Sequence, residues 1–187
     1  MKELKGHIIP AGPLMKEHRT IERMIRVIEN KMRVMDEKSV TDLRFIDIEI
    51  YFLKIYADRC HHGKEEDILF KELENRPISV EHKKIMDSLI SDHAYGRKMV
   101  GALVDARDRY QKGDKTVLKD IIDRLRDLIA FYPRHIEVED RHFFLPCMKY
   151  FSQDEQDSML AEFQRFDAEL IHEKYKAVVS DLETVKK

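Results

Sequence analysis

Apolar residues recur along the chain at three- and four-residue intervals in five stretches, the spacing of amphipathic helices. The first, about 14–35, aligns Leu14, His18, Ile21, Ile25, Ile28 and Met32, so a histidine shares the apolar face. The second, about 40–73, reads Ile48, Phe52, Ile55, Arg59, His62, Glu66, Leu69 and Leu73, with Gly63 a soft spot for a bend. The third, about 79–110, carries Met86, Leu89, Ile90, His93, Val100 and Leu103 and ends at Lys112-Gly113, a C-cap signal. Asp114 can then cap a fourth stretch through Ile121, Leu125, Leu128, Tyr132, His135, Glu139, His142 and Phe143, in which Pro133 removes one backbone bond and predicts a kink. Ser152-Gln153-Asp154-Glu155 is a capping-box sequence opening a fifth stretch through Met159, Phe163, Phe166, Leu170 and Val178. The pattern predicts an all-α, up-down-up-down four-helix bundle with an additional C-terminal helix. Residues 1–187 form one domain on this reading, with the core bundle at about 13–148 and the last helix at about 152–183.

Composition strengthens the helical reading. Gly 6 and Pro 5 in 187 residues are about half the usual share, so turns are few and elements long. The 34 basic and 36 acidic residues nearly cancel to −2, which gives no global field for nucleic acid or an anionic membrane. No uncharged apolar run is long enough to span a bilayer, and Gly6, His7, Pro10, Gly12 and Pro13 interrupt any secretory signal. Cys60 and Cys147 sit in no Cys-x-x-Cys pair and read as idle thiols in a reducing cytoplasm. The expected location is cytoplasmic.

The chemistry is carried by an internal echo. His62-Gly-Lys-Glu-Glu66-Asp67-Ile-Leu-Phe70 and His135-Ile-Glu-Val-Glu139-Asp140-Arg-His-Phe143 share the pattern His-x-x-x-Glu-Asp-x-x-Phe, with histidine and glutamate one helical turn apart. Glu17-His18 and Asp92-His93 precede the two copies, so the halves follow one plan with a pseudo-twofold axis. Two carboxylates in a core each cost several kcal/mol to desolvate unless neutralised, and a dication would neutralise them. Four imidazoles, His18, His62, His93 and His135, with Glu66 and Glu139 can hold two metals about 3.5 Å apart, each taking two histidines while the glutamates bridge. Nitrogen and oxygen donors without thiolate suit iron or manganese better than structural zinc; the set admits manganese or zinc as well.

His61 competes with His62 for a place in this set. Counting from His61 meets Asp58, Lys54, Glu65 and Glu72, a solvated face, whereas counting from His62 meets Ile55, Phe52 and Leu69. His142, three residues after Glu139, either reaches the cavity as a fifth imidazole, hydrogen-bonds a ligand carboxylate, or lies on the surface at a helix end. His7, His82 and His172 read as surface or capping residues, and the methionines as adaptable core filler. No phosphate-cradling loop or nucleophile elbow is present.

Four separated segments, Pro13-Leu14-Met15-Lys16-Glu17-His18-Arg19, Cys60-His61-His62-Gly63-Lys64-Glu65-Glu66-Asp67-Ile68-Leu69-Phe70, Asp92-His93-Ala94-Tyr95-Gly96-Arg97 and His135-Ile136-Glu137-Val138-Glu139-Asp140, resemble the hemerythrin-like, His-His-Glu cation-binding domain. The resemblance implies a four-helix bundle enclosing a non-haem di-iron centre with an oxo or hydroxo bridge. On that analogy His18 and His62 bind one iron, His93 and His135 the other, and Glu66 and Glu139 bridge. It also implies that the protein binds, senses or reduces dioxygen, peroxide or nitric oxide. One departure matters: oxygen carriers place a second histidine four residues from the first on the third helix, where Leu89 and Arg97 stand here. The site then reads as one imidazole short, which favours redox chemistry, sensing or iron handling over simple oxygen carriage. The glutamate four residues after His135 also differs from the five-residue spacing to aspartate of the carriers. Two rival readings are an iron-responsive regulatory or iron-handling module without turnover, and a metal-free helical interaction protein. The C-terminal helix is a candidate surface for a protein partner.

Overall fold

The computed structural model describes residues 8–184, with side-chain surroundings given through residue 170. His7 and the side chains of His172 and Val178 lie outside the described residues. Five helices account for the described chain, and no strand is found among its residues. Helix α1 is Ala11–Lys38. Helix α2 runs over 43–74 and joins Leu43–Phe52, the wider π-helical segments Leu53–His62 and Glu65–Phe70, and a last turn Lys71–Glu74. Helix α3 is Val80–Gln111. Helix α4 covers 118–147, with Leu118–Val138 running through Pro133, a π turn at Glu139–Phe143, and Phe144–Cys147. Helix α5 is Gln153–Thr184.

Local signals set these boundaries. Ser39 takes the left-handed conformation at φ 49°, and its N–H and that of Val40 close onto the last carbonyls of α1. Asp42 and Ser79 cap α2 and α3, their side-chain oxygens accepting from the N–H of Phe45 at 3.2 Å and His82 at 3.2 Å. Gly113, at φ 103°, ends α3 in a conformation that a side chain disfavours. Asp114 accepts from the Thr116 N–H at 3.1 Å. Ser152 and Glu155 form the reciprocal capping box, with the Ser152 N–H donating to Glu155 at 2.7 Å. Pro133 is tolerated because its ring lies on the exposed face of α4.

Helices α1 and α4, α4 and α3, and α3 and α2 pack side by side, α2 returns to α1, and α5 lies along the wide turns of α2. One apolar layer joins Ile21, Ile25, Leu53, Ala57, Leu103, Leu125 and Leu128; the other joins Leu14, Leu69, Phe70, Leu89, Phe143 and Phe144. Each bundle helix passes from one layer to the other through a histidine, so a polar slab lies between two apolar ones.

Helix α2 departs from the sequence reading. One buried row runs its length through Ile46, Glu49, Leu53, Ala57, His61, Glu65, Leu69 and Leu73, joined in the wide turns by His62, Lys64, Ile68 and Phe70, while Ile48 is 61% exposed. From Glu49 this row steps by four residues throughout. Four residues advance an α-helix by about 400°, so such a stripe would wind around the helix by about 40° per step. Hydrogen bonds of the i→i+5 type widen the turn and cancel that drift, as where the Gly63 N–H reaches the Asp58 carbonyl. Gly63 is not a bend: its backbone is helical at φ −60°, ψ −45°. Its missing side chain admits Phe166 of α5, whose ring would lie 2.7 Å from a Cβ.

Candidate metal centre

The slab contains two donor clusters. His18, His61, Glu65 and Glu139 form one; His62, His93 and His135 form the other, and all seven residues are buried. The two glutamates join the clusters, because each directs one oxygen to either side. Glu65 faces His61 Nε2 with one oxygen at 3.1 Å and His93 Nε2 with the other at 3.2 Å. Glu139 faces His18 Nε2 at 3.1 Å with one oxygen, and His135 Nε2 at 3.3 Å and His93 Nε2 at 3.6 Å with the other. The His62 ring stacks on His93 at 3.9 Å between centroids. Nε2 of His18, His61, His93 and His135 and all four glutamate oxygens are buried without a hydrogen-bond partner. Eight converging orphaned atoms would be costly unless something else satisfied them.

The outward nitrogens are backed by carboxylates. His18 Nδ1 donates to Asp140 at 2.7 Å, His61 Nδ1 to Glu17 at 2.9 Å, and His93 Nδ1 to Glu66 at 2.7 Å. His135 Nδ1 reaches Asp92 at 3.5 Å, and His62 Nδ1 lies 3.4 Å from Asp58. An ionised carboxylate only accepts, so in the three close pairs Nδ1 carries a proton and Nε2 turns inward, its lone pair open to a metal once any second proton has left the ring. Cations hold these carboxylates in turn: Arg19 pairs with Asp140, and Lys64 with Glu17. Arg97 Nε donates to Asp58 at 2.7 Å and its Nη2 to Glu66 at 2.5 Å. Rings of Phe144, Phe70 and Phe131 stack on His18, His93 and His135.

The metal-free electrostatics follow from this packing. Burial opposes charge on His61 and His93, but Glu65 and Glu17 around the first, and Glu139, Glu65 and Glu66 around the second, raise them to about 10 and about 11. Burial also raises Glu65 and Glu139, yet the surrounding histidines prevail; Glu65 is driven far below the carboxylate range and Glu139 to about 2. Burial and the neighbouring His93 keep His62 neutral, far below its ordinary value. Two imidazolium protons thus supply the positive charge that two buried carboxylates require. A metal could supply the same charge and take up the orphaned lone pairs, and the imidazole and carboxylate donor chemistry fits one.

Of the residues predicted from the sequence, His18, His62, His93, His135 and Glu139 are brought together. Glu66 is not: it is half-buried, outside both clusters, on the far side of His93. Glu65 occupies the place expected of it, and His61, read as solvated, is buried beside it. The matching echo is therefore His61-x-x-x-Glu65-Glu66 with His135-x-x-x-Glu139-Asp140. The phenylalanines that end the two echo copies, Phe70 and Phe143, do meet, with ring centroids 5.4 Å apart. Between Glu65 and Phe70, however, α2 holds one residue more than α4 holds between Glu139 and Phe143, and the π turns absorb it. The Cys60-His61-His62 run and the acidic pair Glu65-Glu66 were the available signals. His142 is exposed and outside both clusters. The two clusters together bring five imidazoles into the slab, two of them from α2. His82, read as a surface or capping residue, lies in the first turn of α3, where it is buried and its ring meets the Tyr150 hydroxyl at 2.8 Å.

A model of the hemerythrin HHE cation-binding domain matches residues 10–145. No curated protein and no solved structure matches the chain. Among the described residues, no helix is long and apolar enough to cross a membrane.

Proposed function

The chain belongs to the hemerythrin HHE cation-binding family, and from that premise we propose that it holds a non-haem di-iron centre which binds and reduces dioxygen or a related small oxidant such as peroxide or nitric oxide. The observation that carries this reading is the sharing of Glu65 and Glu139 between the two donor clusters, with eight buried atoms left unpartnered. His18 and His61 would serve one ion, His62, His93 and His135 the other, and the two glutamates both. Such a pair, when bound, supplies a reservoir of two electrons for a small oxidant. The cytoplasm is the compartment proposed, in keeping with the free thiols of Cys60 and Cys147.

The chain contributes orientation, insulation and proton control. The carboxylates behind the rings hold protons on Nδ1 and keep Nε2 free for metal. Leu14, Phe70, Leu89, Phe143 and Phe144 on one side, and Ile21, Ala57 and Phe131 on the other, wall the slab against bulk water and admit a small apolar molecule more readily than a charged one. The donor sets are unequal, two imidazoles against three. The poorer set, built from His18 and His61, is where we place the small ligand.

The test is metal content per chain after production with ample iron, with the visible spectrum recorded before and after anaerobic reduction and on return to air. About two irons and charge-transfer absorption that bleaches on reduction are expected. Absence of metal, or one colourless zinc, would overturn the reading.

A further inference from the structure

Helix α5 lies beyond the matched residues 10–145, yet it docks on the segment of α2 that carries His61, His62 and Glu65. Met159 and Phe163 are buried in the apolar layer of Leu14, Leu69 and Phe70, and Phe166 fills the space above Gly63. One turn of α5 also reaches the site electrostatically. Asp167 accepts from Lys64 Nζ with both oxygens, at 2.8 and 3.0 Å, and from the Cys60 thiol at 3.3 Å. The Lys64 side chain is 1% exposed and also donates to Glu17. Glu17 accepts from His61 Nδ1 at 2.9 Å, and His61 Nε2 faces Glu65. Glu17, Cys60 and Asp167 resemble a third metal cluster by spacing, but the ammonium of Lys64 already occupies their midst.

We propose that Asp167 is a positioning residue that acts through Lys64 and Glu17 on His61, so that retention of metal in the two-histidine half depends on α5. The proposal rests on the di-metal reading above. A buried ammonium needs compensating charge. With Asp167 present, Lys64 divides its hydrogen bonds between two carboxylates, taking one oxygen of Glu17 and leaving the other to accept from His61 Nδ1. Without it, Lys64 draws on Glu17 alone, the His61 ring loses its orienting acceptor, and one negative charge is removed from beside a cationic centre. The three-histidine half is backed by a separate set, Asp58, Glu66 and Asp92, with Arg97 holding the first two, and among the described residues it shares Glu65 with this chain of contacts but none of these backing carboxylates.

The test is the rate at which a chelator removes metal from the loaded full-length protein, for wild type, Asp167→Ala, Asp167→Asn and Asp167→Glu. One of the two ions is expected to leave about 10-fold faster from the Ala and Asn variants, with the other unchanged and Glu restoring the wild-type rate. Unchanged release in all variants, or equal acceleration of both ions, would overturn the proposal. So would rescue by Asn, because an uncharged acceptor suffices for a packing role and not for a compensating charge. Phe163→Ala, which loosens α5 without touching Lys64, should give the same selective loss; its failure to do so would separate Asp167 from helix docking and overturn the dependence on α5. Wild-type protein that takes up no metal would instead sink the di-metal reading itself.

Discussion

His93 Nδ1 lies 2.7 Å from an oxygen of Glu66, while its opposite nitrogen faces Glu65 at 3.2 Å. Consecutive carboxylates on α2 thus address the two edges of one ring and do different work. Glu65 is buried between both donor clusters, and Glu66 orients the ring from outside. Glu65→Ala should therefore abolish binding of both metals, whereas Glu66→Ala should lower affinity by about 10- to 100-fold with binding still measurable. Metal titration followed by elemental analysis distinguishes them; equal losses would contradict the assignment.

The two adjacent histidines divide between the halves of the centre. His61→Ala and His62→Ala should each reduce metal content below two per chain, with different residual spectra, because one thins the two-histidine set and the other the three-histidine set. His142→Ala should leave content and spectrum unchanged, since that ring is exposed and in neither cluster. Loss of metal in the His142 variant, or none in the His61 variant, would reverse the geometry proposed.

Glu49 is a buried carboxylate that the site does not use. It lies on the same core face of α2 as Leu53, Ala57 and His61, both oxygens lack partners, and burial raises its pKa to about 8. The folded state therefore keeps a proton that the unfolded chain releases above its ordinary value of 4.5. Its contribution is fully present below pH 4.5 and is lost as pH rises through about 8. Glu49→Gln should remove that slope and stabilise the protein at pH 8.5 by on the order of 1–3 kcal/mol relative to wild type. Denaturant titrations across pH 4.5–8.5 check this; parallel curves for the two proteins would show that Glu49 is ionised in the fold.

Metal removal should weaken the whole bundle, because binding free energy is also folding free energy. Chelation is expected to lower the melting temperature by on the order of 10 °C. The helix content of the metal-free form should persist at low temperature, since protons on His61 and His93 partly replace the lost charge. Melting followed by circular dichroism, with and without chelator, provides the measurement.

Much of this protein was legible along the chain. Periodicity gave five helices, and Asp114, Gly113 and the Ser152–Glu155 box marked their ends, because caps and amphipathic faces depend on residues near one another in sequence. The same locality put His18, His93, His135 and Glu139 on apolar stripes, and all four are buried; the helical spacing stays regular up to each of them, the π turn of α4 beginning only at Glu139.

The tertiary structure decided what a uniform helical period could not. Widened turns in α2 rotated its buried face by one residue, placing His61 and Glu65 in the core, Glu66 behind His93 and Ile48 in solvent. The side-chain order along α2 is the same on either reading; only packing against α1, α3 and α5 fixes how many residues each turn contains. Contacts such as Lys64 with Asp167 join residues 103 positions apart, and no local pattern encodes such a pairing. The sequence by itself determined the helices and the kinds of donor in their core. The fold determined which donors face one another, because that depends on turn width and on helices meeting across the bundle.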